Sequence, residues 1–234
     1  MTYNVHSCVG MDGTASPQRI ARVIAMYDPD IVALQEVDVN RSRTGGIDQA
    51  EQIAGLLNMS YHFHPSFTVA EEQYGNAVFS RFPMRVVKTA TLPGKPRVEP
   101  RGALWVEITA PIDRPIQVVT THLGLRRHQR LAQLATLLGD DWLCGSTCQR
   151  SVIFCGDLNA RPRSKEYAAV QRSLHDTDRR RPNSALPPTW MGVARMDYIF
   201  TSSDLLVEEL RAPRTSLTRR ASDHLPVIAD LKLT

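Results

Sequence analysis

Asn4, Glu36, His122, Asp157 with Asn159, Asp197, and Asp223 with His224 all stand where an apolar run begins or ends. Their side chains make a coherent chemical set. Glu36 with Asp157 or Asp223 supplies the oxygen ligands that a hard cation such as Mg²⁺ prefers, with Mn²⁺ as a substitute. Two histidines offer proton transfer or oxyanion contacts near neutral pH. Asn4 and Asn159 are neutral groups able to orient a phosphoryl group or a ligand. No Cys or Ser stands beside a His in a way that marks covalent catalysis. The set suits polarising a phosphate ester and activating a water.

Each residue alone has a plainer reading. Asn4 could be a strand-edge amide, His122 a satisfied buried histidine, and Gly156-Asp-Leu-Asn159 a turn. Their recurrence at strand ends argues for one polar cleft at the edge of a sheet, where open α/β sheets present chemistry.

The elements that must position these residues can be traced along the chain. Residues 2–6 read as a short strand. Ser16-Pro17 starts a helix, with Ile20, Val23, Ile24 and Tyr27 on one face and Asp28-Pro29 at its end. A buried strand over 31–36 closes on Glu36. A second helix runs from about 48 to 58, with Ile53, Leu56 and Leu57 inward. Strands at 61–67, 74–80, 85–92, 103–109 and 116–122 follow at hairpin spacing. A helix over 127–143 turns Leu131, Leu134, Leu137 and Leu138 inward, and 152–155 is an apolar run of the kind buried on both faces. A helix near 165–174, a polar loop over 176–188, strands at 196–200 and 205–210, a basic loop and a last strand at 225–231 complete the chain. No repeat, linker or low-complexity tract divides it, so one domain over 1–234 is expected.

The chain has 234 residues, 42% hydrophobic and 22% charged, the balance of a soluble protein with a real core. No apolar run approaches bilayer length. Residues 1–6 have neither the basic start nor the apolar stretch of a signal peptide. Cys8, Cys144, Cys148 and Cys155 complete no zinc pattern and read as free thiols in a reducing compartment, hence a cytoplasmic location. The net charge of +4 is unevenly placed. Residues 126–220 hold 16 Lys+Arg against 10 Asp+Glu, with Arg126-Arg127, Arg161, Arg163, Arg179–Arg181 and Arg219-Arg220 among them. This surplus permits an anionic partner, nucleic acid or a phospholipid head group, and is equally compatible with a solvated face.

Seven patches, T-Y-N-V-H (2–6), L-Q-E-V (34–37), Y-G-N-A-V-F-S-R (74–81), T-T-H-L-G (120–124), G-D-L-N (156–159), M-D-Y-I-F (196–200) and S-D-H-L-P-V (222–227), resemble in order those of the endonuclease/exonuclease/phosphatase superfamily. The resemblance implies an α/β (α+β) fold, a four-layer α/β/β/α sandwich with two facing mixed β-sheets, and a Mg²⁺-dependent cleft at one end. It implies Glu36 as principal metal ligand, assisted by Asn4 and Asp223. Asp157 orients or deprotonates the attacking water, and Asn159 holds the transition-state phosphate. His224, held by Asp197, contacts the scissile phosphate, with His122 opposite. Asn76, Arg101 and Asn159 are its substrate-binding positions. Abasic-site endonucleases of this family carry a tyrosine where His122 stands, and the histidine resembles the deoxyribonuclease, sphingomyelinase, inositol-phosphatase and tyrosyl-DNA phosphodiesterase branches. The expected activity is hydrolysis of a phosphodiester in nucleic acid or a phospholipid head group by a monomer. The alternative is a non-catalytic nucleic-acid or partner-binding module on the same fold. No exposed aromatic hairpin for membrane docking stands out in the sequence.

Overall fold

The computed structural model describes residues 1–112, 114–145, 151–179 and 186–233. Cys148, Arg180 and Arg181 lie outside the described residues.

The first parallel pair forms because a capped helix separates two apolar strands. β1 (Thr2–Asn4) leads to α1 (Pro17–Tyr27) and back to β2 (Ile31–Val39), which pairs parallel with β1. Ser16 caps α1 by accepting from the Arg19 N–H, and Asp28 ends it in the left-handed region before Pro29. Then follow α2 (Gln49–Leu57), capped by Asp48, β3 (Ser60–Val69) and β4 (Glu72–Ser80). This sheet has the order β1-β2-β4-β3.

The second sheet repeats the logic. β5 (Met84–Leu92), β6 (Arg101–Ile108) and β7 (Ile116–His122) form an antiparallel meander. α3 (Arg127–Leu137) then crosses over to β8 (Val152–Asp157), parallel to β7. After α4 (Lys165–Val170) come β9 (His175–Asp176) and β10 (Asp197–Thr201), giving the order β5-β6-β7-β8-β10-β9. β11 (Leu205–Arg211), α5 (Ser216–Ala221) and β12 (Ile228–Leu233) close the chain, and Thr2 and Val227 exchange backbone hydrogen bonds beside β1.

Three apolar layers glue this together. Ile20, Val23, Ile24 and Ile53 of α1 and α2 pack on Tyr3, Leu34 and Phe79 of the first sheet. Leu134 and Leu137 of α3 and Tyr167 and Val170 of α4 pack on Trp105, Phe154 and Phe200 of the second. Between the sheets lie Ala33, Val78, Leu104, Val118, Cys155 and Ile199. Alternate residues of β2 and β8 therefore serve opposite apolar layers, which is why these strands read as unbroken apolar runs. The result is the expected sandwich with helices outside.

Several local expectations need correction. β2 continues past Glu36 to Val39, because a bulge between Leu34 and Val37 absorbs the polar residue within the strand. Leu56 is 57% exposed: the apolar stripe of α2 is Ala50, Ile53 and Ala54. α3 stops at Leu137 before Gly139-Asp140-Asp141, Leu131 and Leu138 are only half-buried, and Trp142 and Leu143 enter the core from turns. α4 ends at Val170, four residues short of the expected end, and β12 begins only at Ile228. The basic loop after β11 contains α5, secured by reciprocal hydrogen bonds between Thr215 and Thr218.

Candidate active site

Strand pairing alone gathers three of the site residues. His122 stands opposite Asp157 in the β7–β8 register, and Asp157 opposite Asp197 in the β8–β10 register. Neighbours in register share a face, so these three side chains leave the second sheet together. Gly156, immediately before Asp157, sits at φ +138°, where a Cβ would meet the Thr121 carbonyl oxygen at 1.9 Å. Only glycine lets β8 lie this close to β7 there.

The first sheet contributes through its bulge. Asn4 is opposite Gln35, and Glu36 has a left-handed φ of 61°. That turn of the backbone aims the Glu36 carboxylate at Asn4. Asn4 Nδ2 then donates to Glu36 Oε1 at 2.8 Å and to Asp157 Oδ2 at 3.0 Å, joining carboxylates from the two sheets. Beneath them Gln35 Nε2 donates to Thr120 Oγ1 at 3.1 Å, a second tie between the sheets. Asp157 Oδ1 accepts from the Asn159 backbone N–H at 2.8 Å, so the turn and the site are one structure.

The two histidines differ sharply. His224 Nδ1 lies 2.8 Å from Asp197 Oδ2, and its Nε2 lies 3.7 Å from Asp157 Oδ2. Burial opposes its charge, but Asp197, Asp157 and Asp223 overcome that and push its pKa up to about 10. His224 is therefore an imidazolium at neutral pH. His122 is held well below its ordinary value, first by burial and then by Arg101 and His224. Arg101 Nη1 donates to His122 Nδ1 at 3.2 Å, and His122 Nε2 lies 3.5 Å from Asp157 Oδ2. Asn159 Nδ2 lies 3.0 Å from the same nitrogen and donates to the Leu123 carbonyl at 2.9 Å. Burial, reinforced by the Asp197 charge, raises the Asp157 pKa against the pull of His224 and two hydrogen bonds. Burial also raises Glu36.

These groups face a cleft of about 450 Å³ lined by Glu36, Arg101, His122, Asp157, Asn159, Asp223 and His224. Asp197 lies behind His224, fully buried. Asn76 does not line the cleft: it is buried and its Nδ2 donates to the Gly102 carbonyl, tying β4 to β6 beside Arg101. Asp223 lines the cleft with Oδ2 accepting from Trp190 Nε1 at 3.3 Å. Sequence reasoning passed over Arg43, Tyr74, Glu99 and Trp190, which also line it. Tyr74 stands inside a motif already quoted, whereas Trp190 gave only the signal of an aromatic ending a polar loop. A short hairpin pairs Trp190 with Ala194, and its exposed tip is aliphatic, Met191 and Val193.

The donor set fits a hard divalent cation. Glu36, His122 and Asp157 place ligand atoms within 4.8 Å of one another. Glu36 is a partly buried carboxylate whose Oε1 is bonded to Asn4, while Oε2 has no hydrogen-bond partner among the described residues. A second group, Asp157, Asp197 and His224, is equally compact, but the Asp197–His224 hydrogen bond occupies its nitrogen. Asp223 belongs to neither group.

Two facing mixed sheets with helices outside, and an acidic, histidine-bearing cleft at one end, define a phosphoesterase-type sandwich. The chain belongs to the Endonuclease/Exonuclease/phosphatase family, whose family model matches residues 1–224. It is 28% identical over 216 residues to the uncharacterized protein YbhP of Escherichia coli K12, covering 87% of this chain and 83% of YbhP. An endonuclease/exonuclease/phosphatase structure from Beutenbergia cavernae superposes with a TM-score of 0.81 at 24% identity, covering 99% of this chain and 70% of that one. A mannosyl-6-phosphatase from Bacteroides thetaiotaomicron gives 0.74 at 19% identity, covering 99% and 98%. Members of this family are hydrolases of phosphate esters and typically depend on a divalent metal.

Proposed function

We propose that this protein hydrolyses a phosphodiester, in nucleic acid or a phospholipid head group, with Mg²⁺ or Mn²⁺ held in the cleft. The observation that carries the reading is the Asn4 amide bonded to two carboxylates from opposite sheets, with a charged histidine across from them. Glu36 is the principal ligand, with Asn4 and Asp223 assisting. The bound cation supplies charge neutralisation for the phosphoryl oxygens.

The remaining work falls to side chains. Asp157 accepts the proton of the attacking water, oriented for this by Asn4 and by the Asn159 N–H. Its raised pKa brings it toward neutrality, where a general base is most effective. His224 stays charged and stabilises the negative charge that grows on the phosphoryl group. Asp197 holds its ring in place. His122 faces the phosphate from the other side, and Asn159 steadies it. Arg101 orients His122 and adds positive charge, while Asn76 positions the β6 backbone beside it. The site is complete within one chain, which supports a monomer, and the buried free thiols Cys8 and Cys155 support a cytoplasmic setting.

Release of nitrophenol from bis-p-nitrophenyl phosphate tests the reading. Turnover should stop with EDTA, return with Mg²⁺, and need more metal in Glu36→Gln. Undiminished turnover in EDTA sinks the metal assignment, and inertness toward every ester in a panel of DNA, RNA, phospholipids, inositol phosphates and phosphomonoesters favours a binding module instead.

A further inference from the structure

α5 and the Trp190–Ala194 hairpin enclose a second, smaller hollow of about 150 Å³ beside the active-site cleft. Its lining includes Arg214, Arg219, Met11, Met191 and Asp223. Asp223 also lines the active-site cleft, so the two hollows are neighbours across one residue.

Four of the described arginines on the basic half of the chain are committed to carboxylates: Arg130 to Glu166, Arg195 to Asp176 and Asp178, Arg211 to Glu209 and Asp230, and Arg220 to Asp12. Arg214 and Arg219 have no ion-pair partner among the described residues, although both line a concave surface. Gly192 sits at φ +70° in the hairpin tip, and a Cβ there would stand 3.4 Å from Arg214 Nη2, so the guanidinium lies against the turn. Met11 and Met191, 55% and 57% exposed, supply adaptable apolar walls beside the charges.

Two guanidinium groups that make no ion pair among the described residues, in a hollow with methionine walls and the Asp223 carboxylate shared with the cleft, suit a phosphate attached to a sugar or base. We propose that Arg214 and Arg219 form a second phosphate subsite, which selects substrates carrying another phosphate next to the scissile ester. This rests on the phosphodiesterase reading and narrows it. An oligonucleotide strand and a bisphosphorylated sugar both present that chemistry.

The discriminating pair of substrates is thymidine 5′-(p-nitrophenyl phosphate) and the same compound with a 3′-phosphate. The wild-type protein should show a KM about tenfold lower for the phosphorylated compound, the scale of one charge-assisted contact. Arg214→Gln/Arg219→Gln should lose that preference yet hydrolyse bis-p-nitrophenyl phosphate within twofold of wild type. The double Lys variant should keep most of it. Independently of catalysis, a fluorescent 5′-phosphorylated tetranucleotide in EDTA should bind several-fold more weakly to the Gln variant, with a shallower salt dependence. Stronger competition by a sugar bisphosphate than by unlabelled tetranucleotide assigns the subsite to small molecules, and the reverse to a strand. A wild-type protein indifferent to the second phosphate, or a Gln variant that keeps the preference, overturns the proposal. If no ester is hydrolysed at all, the enzymatic reading fails and the binding comparison alone decides the subsite: equal tetranucleotide binding by wild type and variant overturns it.

Discussion

The cleft contains two histidines whose protonation is set in opposite directions, and the proposed chemistry depends on this contrast. His224 faces three carboxylates and His122 faces an arginine. Replacing Asp197 by Asn removes the strongest influence raising His224 and also one raising Asp157. The sign follows directly. A histidine with a raised pKa is charged below that value and loses its charge as pH climbs through it, so a lower pKa brings the alkaline limb of the rate profile down from about 10. A carboxylate relieved of a neighbouring charge ionises at lower pH, so the acid limb falls as well. Asp197→Asn should therefore shift both limbs downward and lower kcat roughly 10²-fold with little change in KM, as expected for an interaction strongest in the transition state. Limbs that stay in place would return Asp197 to a purely structural role. Asp157→Asn should cost about 10²–10⁴-fold in kcat, the usual worth of a general base, while Mg²⁺ binding survives through Glu36.

At the scale of elements, the sequence marked residues that gather at the cleft but not how the backbone aims them. Glu36 looked like the last residue of a strand; it is the bulged residue of a longer one, at a left-handed φ that no pattern in 31–36 announces. Asn4, Asp157 and His122 were legible because strands that end in polar residues are rare enough to notice. Asn76 carried the same motif signal and proved to be a buried tie. α5 was hidden because its Leu217 is isolated among Ser, Thr and Arg, so no apolar periodicity marks a helix secured mainly by its Thr215–Thr218 cap. Three consecutive left-handed residues, His6, Ser7 and Cys8, follow β1, held by a local bond from the His6 N–H to Asn4 Oδ1 and a tertiary one from Gln49 Nε2 to the Ser7 carbonyl. Gly156, by contrast, was visible as a strand's end, and its role can be measured. Gly156→Ala must part β7 from β8, so a loss of about 2–4 kcal/mol in unfolding free energy is expected from urea titration. A loss under about 0.5 kcal/mol would show that the two strands can yield.

On the scale of the whole molecule, two sheets that could each pack on their own helices are joined at one end by buried charge. Ala33, Val78, Leu104 and Ile199 bind them through apolar contact, but at the cleft the joint is Asn4 between Glu36 and Asp157. Burial raises both carboxylates, so ionising them costs the folded state free energy that neither partner fully returns. A divalent cation that binds only this folded site offsets that cost. At ten times its dissociation constant it adds about 1.4 kcal/mol, which for a chain of this size raises Tm by about 3–5 °C. Calorimetry of the metal-free protein at pH 7, with Mg²⁺ added against NaCl of equal ionic strength, should show this rise. Glu36→Gln should abolish it while leaving the metal-free Tm unchanged or slightly higher, because a buried charge has gone and the Asn4 amide still finds a carbonyl oxygen. The rise should also shrink toward pH 5, where protons compete with the cation for both carboxylates. An equal shift in Glu36→Gln would mean that the cation acts elsewhere on the surface, and the ligand assignment would fall without any assay of catalysis.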